Sequence, residues 1–315
     1  MPRTFDPQHV GFLVGTTAAG KSAVALALAE RADAEIVSLD SMQVYRGMDI
    51  GTAKPSAAER ARVRHHMLDL VAPNESYDVQ RYLADVVPVL AALADAGRRV
   101  LVVGGTAFYL KALVSGLFEG PPVDRALRAA IEERAREHGN AALHAALAGI
   151  DPRAAARIHA NDTKRVVRAL EVFEQTGRTL SDWQTQWPSR STLAVEDLRC
   201  IALDVATTDL DERIRARTRA MLDGGWPAEA ARIRADTGFG TTAVQALGYA
   251  DALALHDGVI SREECAERIA LVTRQFARRQ RTWYRKLSGA HWFEAPRELV
   301  GVPVDEMLDA LGWRS

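Results

Sequence analysis

Residues 9–30 read HVGFLVGTTAAGKSAVALALAE, and this stretch decides the class of fold. The apolar run 9–15 predicts a buried strand, and 21–30 predicts the helix that follows it. Between them, GTTAAGKS (15–22) fits the pattern G-x-x-x-x-G-K-[ST]. Backbone N–H groups of such a loop and the N-terminus of its helix bind phosphate oxygens. Lys21 would add positive charge, and the Ser22 hydroxyl would hold Mg²⁺.

Further apolar runs extend this strand–helix unit into a sheet. AEIVSLD (34–40) and RRVLVVGGT (98–106) are predicted strands, and a long amphipathic helix is expected from about Tyr77 to Ala96. Alternation of strands and helices predicts an α/β fold, with a mostly parallel sheet flanked by helices on both faces.

The alternation of predicted strands and helices ends near EGPPVD (119–124). From there to about residue 186 the sequence shows helical periodicity without strands. We therefore expect an inserted all-helical lobe at 119–198, with 187–197 as its return linker. The core would comprise 1–118 and 199–315. An apolar run returns at 198–206, and the C-terminal third is expected to be helical, in three segments bounded by glycines: 209–223, 241–257 and 261–287.

The composition is that of a soluble globular protein, with 48% hydrophobic and 26% charged residues and a net charge of −1. Cys200 and Cys265 are the two cysteines and lie 65 positions apart, which disfavours a disulfide framework or a zinc site. The apolar run near the N-terminus is too short for a signal peptide. We expect a cytoplasmic protein without a membrane span.

The third predicted strand argues against an ordinary ATPase. Hydrolytic NTPases commonly end such a strand with an acid that positions Mg²⁺ and water. Here VLVVGGT ends in glycines and a threonine, and the acid that directly follows an apolar strand in this half is Asp40.

Six segments in order resemble the tRNA dimethylallyltransferases, also called tRNA isopentenyltransferases, and the block at 36–55 is the most specific of them. Thr16, Ala19 and Ala107 depart from residues that the family commonly has, and none of them replaces a group that the chemistry needs. The matching segments are GTTAAGKS (15–22), IVSLDSMQVYRGMDIGTAKP (36–55), VVGGTAFYLKAL (102–113), NDTKRVVRALEV (161–172), ALGY (246–249) and TRQFARRQRTWYRKL (273–287).

The resemblance implies a P-loop NTPase-like core and a transfer reaction. A dimethylallyl group would move from dimethylallyl diphosphate to N6 of the adenosine 3′ to the anticodon in tRNA, with release of diphosphate. The implied partners are the tRNA anticodon stem–loop and the prenyl diphosphate. We expect Mg²⁺ as the cofactor because Ser22 and the diphosphate both suit it. We expect a monomer without an obligate protein partner.

Diphosphate is the leaving group of that reaction, so a phosphate loop suits it. The resemblance assigns diphosphate binding to the loop and to an arginine of RIRARTRAML (213–222), for which Arg217 matches better than Arg213. Thr17 would lie near the bridging oxygen. A solvated helix face is the alternative for both arginines. The expected diphosphate-binding residues are Gly15, Thr16, Thr17, Ala18, Ala19, Gly20, Lys21, Ser22 and Arg217.

Asp40 is the candidate general base, since accepting a proton from N6 while the new bond forms would lower the barrier. From the sequence alone, an aspartate that caps the turn DSMQ (40–43) is an equal alternative, and the resemblance favours catalysis. The candidate catalytic residues are therefore Asp40, Thr17 and Arg217.

Basic residues crowd one helix near the C-terminus. Arg274, Arg278, Arg281 and Arg285 share a helical face, and 274–286 contains six basic side chains and no acid. Such a face suits an RNA backbone, although charged helix faces are usually just solvated. Phe276, Trp283 and Tyr284 in this segment suit the core as well as base stacking.

Chemistry on N6 requires the adenine to leave its stack and enter a pocket. By resemblance, 40–43 and 245–249 would line the approach, with Gln43 and Gln245 as readers of the base. Thr106 in GGT would contact tRNA beside it, although Gly104 and Gly105 also suit a tight turn. The expected tRNA-binding residues are Asp40, Ser41, Met42, Gln43, Thr106, Arg128, Lys164, Arg165, Arg168, Gln245, Gly248, Tyr249, Arg274, Arg278 and Arg281.

Three other functions remain open. An adenylate isopentenyltransferase acting on AMP or ADP would not need the helical lobe or the arginine face. A small-molecule kinase would use ATP in the loop, but the strand at 98–106 lacks the expected acid. A non-enzymatic RNA partner would have no use for Asp40.

Overall fold

The computed structural model describes residues 9–117, 120–184, 193–194, 198–296 and 301–314. The chain forms two compact units: one comprises 1–115 and 192–315, and the other comprises Gly116–Ser191.

A parallel sheet of six strands forms the centre of the larger unit, in the order β3-β2-β4-β1-β6-β8. Each of its strand pairs is parallel. The strands are β1 (Val10–Gly15), β2 (Ala34–Leu39), β3 (His65–His66), β4 (Arg99–Gly104), β6 (Arg199–Asp204) and β8 (His291–Glu294); β5 (Leu193–Ala194) and β7 (Leu287–Ser288) form a separate pair.

Helices cover both faces of this sheet because successive strand residues point in opposite directions. In β1, Phe12 and Val14 belong to one apolar cluster and Leu13 to another. The helices of this unit are α1 (Lys21–Ala32), α2 (Ala57–Arg62), α3 (Val79–Asp95), α4 (Ala107–Ser115), α9 (Thr207–Asp223), α10 (Trp226–Asp236), α11 (Tyr249–His256), α12 (Arg262–Tyr284) and α13 (Val304–Ala310). The α/β class and the mostly parallel sheet are thus confirmed.

The smaller unit is helical in its described residues and has a core of its own, which includes Ile131, Leu147 and Val166. Glu171 is fully buried there and pairs with Arg128 (2.6 Å) and Arg168 (3.0 Å). The helices are α5 (Arg125–Ile150), α6 (Pro152–Arg157), α7 (Thr163–Thr176) and α8 (Leu180–Trp183). Most of the expected linker 187–197 lies outside the described residues.

The C-terminal third differs from the expected three helices. Segment 241–257 is two pieces, a 3₁₀ turn at Ala243–Gln245 and α11, because Gly248 between them has a φ of +84°. Helix α10 begins after Gly225 with Pro227 in its first turn, a start signal that the periodicity did not show. Strand β8 was also missed, since it is short and mostly exposed at the edge of the sheet.

Candidate functional site

A cavity of about 620 Å³ opens at the carboxyl ends of β1, β2 and β4. Its lining includes the phosphate loop, the turns after β2 and β4, and residues of α9 and α12. In open parallel sheets, ligands bind at this edge. The polar side chains that line it include Thr17, Lys21, Ser22, Ser38, Asp40, Ser41, Gln43, Thr52, Thr106, Arg217, Thr218, Gln245, Thr273, Arg279 and Gln280.

The phosphate loop wraps around its own lysine. Lys21 Nζ donates to the carbonyl oxygens of Gly15 (3.1 Å) and Thr16 (2.7 Å), which leaves one N–H for a ligand. Gly20 adopts a left-handed conformation (φ 79°) directly before α1. The loop residues therefore surround the start of a helix, where backbone N–H groups favour an anion.

Arg217 lies opposite this loop, on α9. Its Nη1 donates to Thr17 Oγ1 at 3.2 Å. Arg213, one helical turn earlier, instead donates from Nη2 to the carbonyl oxygen of Ala295. Of the two arginines that the sequence left open, Arg217 is the one that lines the cavity.

Two half-buried cations, Lys21 and Arg217, share this part of the cavity. Burial, followed by the positive charge of Arg217, lowers the pKa of Lys21 to about 8, while Asp40 opposes the shift. Burial also lowers the pKa of Arg217, again opposed by Asp40. Desolvation and neighbouring positive charge both disfavour the charged forms of these side chains. A bound anion would stabilise the charged forms by offsetting these effects.

Asp40 follows β2 and closes a turn. Its Oδ1 accepts hydrogen bonds from the amides of Met42 (2.8 Å) and Gln43 (3.3 Å). This is the capping role that the sequence offered as the alternative. Among the described residues, none donates a hydrogen bond to Oδ2. One oxygen therefore holds the turn, and the other can accept a proton.

The turn after β4 contacts the Asp40 segment. The Ser41 amide donates to Thr106 Oγ1 at 3.1 Å. Gly104 passes very close to β2, since a Cβ there would lie 2.1 Å from the carbonyl oxygen of Leu39. The glycine is thus needed for the close approach of the two strand ends.

Gln43, expected as a reader of the base, is engaged within the protein. Its Oε1 accepts from Ser38 Oγ (2.9 Å), and its Nε2 lies 3.3 Å from the carbonyl oxygens of Thr52 and Ala53. These contacts position the cavity wall at 51–53. Gln245 lines the cavity and is exposed, with its Nε2 donating to the Thr241 carbonyl.

Tyr249 and Gly248 lie behind this wall. Tyr249 is buried and donates its hydroxyl to Glu229 at 2.7 Å. The Glu229 carboxylate, itself 3% exposed, also accepts the amides of 49–51 at 2.8–3.1 Å. A Cβ at Gly248 would meet the Trp226 ring at 2.3 Å. These residues support the wall at 49–53.

Internal ion pairs engage several of the expected RNA-binding arginines. On α12, Arg274 pairs with Asp211 (2.7 Å) and Arg281 with Asp204 (3.1 Å), whereas Arg278 and Arg285 are exposed. The acids come from α9 and the end of β6, so the helix's own sequence could not reveal them. In the helical unit, Arg128 and Arg168 pair with Glu171, while Lys164 and Arg165 are exposed, with Arg165 also 3.3 Å from Asp162.

Sequence reasoning missed three residues that build this site. Gln280 bridges two of its loops, Glu229 supports one wall, and Arg279 lines the cavity. Gln280 and Arg279 lie inside the segment 274–286, which the sequence analysis interpreted only as a basic helix face. Glu229 lay in a helix that was not predicted.

The described residues contain no cluster of three or more His, Cys, Asp or Glu side chains that suits a metal ion. Ser22 lines the cavity with an exposed hydroxyl, and Asp40 offers one carboxylate oxygen. This donor set fits Mg²⁺ only if a ligand's own phosphate oxygens supply most of the coordination. In the part of the chain that the structure describes, no helix is long and apolar enough to cross a membrane.

A phosphate loop that joins β1 to α1 at this edge of a parallel sheet defines a P-loop protein. Lys21, Arg217 and Asp40 line the cavity beside it.

Comparison with known proteins gives the family. The model of the IPP transferase family matches residues 43–287. A tRNA dimethylallyltransferase of Anaeromyxobacter sp. (strain K) is 45% identical over 91% of this chain and 93% of its own. One of Methylococcus capsulatus is also 45% identical, over 90% and 91%. The full-length tRNA isopentenylpyrophosphate transferase of Bacillus halodurans has a TM-score of 0.67 at 33% identity, covering 97% of this chain and 95% of that one. The chain belongs to the IPP transferase family.

Lys21 provides a pH-dependent test of the anion site. With a pKa of about 8, its ammonium is charged below that pH and becomes neutral as the pH rises through it. We expect the affinity for inorganic pyrophosphate to decline from about pH 8 upward, by up to about tenfold per pH unit for one linked proton. Titration calorimetry between pH 6.5 and 9.5 would measure this decline.

The Lys21→Met variant is the control, because it cannot lose this charge. Its weaker binding should lack the decline, which also separates Lys21 from the ionisation of pyrophosphate itself. Parallel pH curves for the two proteins would contradict the assignment.

Proposed function

We propose that this protein transfers a dimethylallyl group from dimethylallyl diphosphate to N6 of the adenosine 3′ to the anticodon in tRNA, releasing diphosphate. The observation that carries this proposal is one cavity that places Lys21 and Arg217 beside the phosphate loop and Asp40 near both cations. The relatives from Anaeromyxobacter and Methylococcus that bear the name tRNA dimethylallyltransferase support it.

The cations stabilise the leaving group. As the allylic C–O bond breaks, its electron pair stays on the diphosphate, and donors already aimed at that charge lower the barrier. Lys21 offers its remaining N–H, and Arg217 its guanidinium. Thr17 Oγ1 accepts from Arg217, which leaves its own hydrogen available to donate to a diphosphate oxygen. The other residues of the loop 15–22 would surround the phosphates.

Asp40 acts on the nucleophile. The adenine N6 forms the new C–N bond at the carbon that the diphosphate leaves, and its extra proton passes to the carboxylate. The amides of Met42 and Gln43 hold Oδ1, so the orientation of the carboxylate is fixed before the base arrives. The capping role and the catalytic role of Asp40 are therefore compatible.

Mg²⁺ would be held by the Ser22 hydroxyl together with diphosphate oxygens, and would neutralise part of their charge. The chain's own residues bind the diphosphate, orient the reacting groups and take the proton from N6.

The exposed basic side chains are the first candidates for contacts with tRNA. We assign backbone contacts to Arg278 on α12 and to Lys164 and Arg165 in the helical unit, which are exposed. Arg128, Arg168, Arg274 and Arg281 are half-buried in their ion pairs, and their pairing gives them fixed orientations. The target base must leave its stack to reach Asp40, and Ser41, Met42, Thr106 and Gln245 line the cavity that would receive it.

Two alternatives use the same cavity. An adenylate isopentenyltransferase would accept AMP or ADP, and a kinase would consume ATP. Neither explains the helical unit or the exposed basic residues on it. A monomeric state, a cytoplasmic location and the functional division at 119–198 stay predictions.

One assay separates these functions. Labelled dimethylallyl diphosphate is offered with unmodified tRNA, with AMP, or alone, and ATP consumption is followed in parallel. We expect that the label is transferred only to tRNA and that no ATP is consumed. Label in AMP, or ATP hydrolysis without transfer, would contradict the proposal.

Asp40→Asn tests the general base. Asparagine keeps an oxygen that accepts the amides of Met42 and Gln43, so the turn should persist, but it cannot take up the proton. We expect kcat to fall by about 10²–10⁴-fold with tRNA affinity unchanged, as measured by single-turnover transfer and filter binding. An Asp40→Asn enzyme of near normal kcat would show that the aspartate is purely structural.

Arg217→Ala tests the leaving-group site, with Arg213→Ala as the matched control on the same helix. Removing a donor aimed at developing charge typically costs about 10²–10³-fold in kcat. We expect that loss for Arg217→Ala and a near normal rate for Arg213→Ala, whose guanidinium contacts the Ala295 carbonyl. Equal losses would mean that neither arginine acts specifically on diphosphate.

A further inference from the structure

Gln280 joins the two loops on either side of the cavity. It lies on α12, within the basic segment, but is only 5% exposed. Its Oε1 accepts the amide hydrogen of Thr17 at 2.8 Å, and its Nε2 donates to the carbonyl oxygen of Gly105 at 2.8 Å. Rotating the amide would oppose donor to donor and acceptor to acceptor, so both partners fix its orientation.

Gly105 leaves room for this bridge. A Cβ at that position would lie 2.5 Å from Gln280 Nε2, closer than real Cβ contacts allow. The conformation of Gly105 does not demand glycine, because a positive φ is recorded for other glycines and not for this one. The need for glycine at 105 is therefore steric, and it points to the Gln280 side chain.

Two helices hold Thr17 by hydrogen bonds. Gln280 on α12 holds its amide, and Arg217 on α9 holds its hydroxyl oxygen at 3.2 Å. Because the amide is already engaged, Thr17 presents its hydroxyl, rather than its backbone N–H, to a ligand. The Thr17 amide is therefore not among the loop amides that are open to phosphates.

The other end of the bridge leads to Asp40. Gly105 is followed by Thr106, whose Oγ1 accepts the amide of Ser41, the residue after Asp40. One side chain thus connects the loop that would bind the departing diphosphate with the segment that would deprotonate the base.

We propose that Gln280 is a positioning residue that sets the Thr17 hydroxyl and the Asp40 segment at the mutual distance that the transfer requires. This inference rests on the proposed function. A displacement of about 1 Å between reacting groups can cost roughly 100-fold in rate, and Gln280 acts on that distance without touching either substrate in the mechanism above. Its loss should therefore lower kcat more than it weakens the binding of either substrate.

Gln280→Glu and Gln280→Ala test the bridge, with Gln275→Ala as the matched control, since Gln275 is an exposed glutamine on the same helix. Glutamate can still accept from Thr17 but turns an oxygen toward the Gly105 carbonyl. We expect both Gln280 variants to lose roughly 10–100-fold in kcat, with tRNA affinity unchanged and Gln275→Ala normal. Single-turnover transfer, filter binding and melting temperature are measured for each.

Gly105→Ala perturbs the same contact from the other side and guards against a misfolded Gln280 variant. We expect a similar loss of kcat, and no further loss in the Gly105→Ala, Gln280→Ala double variant, because both remove one interaction. Multiplying effects would overturn the inference. So would a lowered melting temperature with normal kcat in the Gln280 variants, since Gln280 would then be a packing residue.

Failure of the inference is distinguishable from failure of the proposed function. If the wild-type chain and Gln275→Ala transfer label to tRNA but Gln280→Ala matches them, only the role of Gln280 is refuted. If the wild-type chain transfers no label, the proposed function itself is refuted.

Discussion

The site depends on two half-buried cations, Lys21 and Arg217, that are held near each other without full compensation of their charge. Lys21 and Arg217 both have lowered pKa values because burial disfavours their charged forms, and Arg217 acts against Lys21 directly. Asp40 opposes both shifts. A diphosphate would relieve this strain by supplying the missing negative charge, and its charge increases as it leaves. The same arrangement can therefore bind a substrate and favour its departure.

The fold makes this arrangement possible by bringing strand ends together. Asp40, the phosphate loop and the glycine turn follow β2, β1 and β4, which lie side by side in the sheet. Gly104 permits the close approach to Leu39, as the Cβ that it lacks would collide with the Leu39 carbonyl. Behind the cavity, Glu229 accepts three backbone amides and one tyrosine hydroxyl, and Gln280 connects the loops. Hydrogen bonds to the buried side chains of Glu229 and Gln280 thus hold the wall and the loops of the cavity in place.

The sequence predicted those parts of the structure that local patterns encode. The strand, phosphate loop and helix at 9–30 are confirmed, because buried β-strands and glycine-rich turns have strong local signatures. Family and fold are also confirmed. Strand β8 could not be predicted, as its four residues take their conformation from pairing with β6, a long-range contact.

The sequence predicted the hydrogen-bond and ion-pair partners of individual side chains least well. The arginine spacing on α12 correctly described one helix, but Asp204 and Asp211 approach it from other elements. Gln43 resembled a base reader because of its motif, while its hydrogen bonds to Ser38 and the 52–53 carbonyls depend on the folded loop. Gln280 and Glu229 likewise act across more than 100 residues of sequence, and no local pattern carries that information.

The most direct measurement is a crystal structure of the protein with an anticodon stem–loop RNA and dimethylallyl thiodiphosphate, an unreactive analogue of the proposed donor. The account predicts the diphosphate within hydrogen-bonding distance of Lys21 Nζ, Arg217 and Thr17 Oγ1. It also predicts the adenine N6 next to Asp40 Oδ2, with the allylic carbon between N6 and the diphosphate. A diphosphate bound away from these two cations, or an adenine that does not reach Asp40, would contradict it.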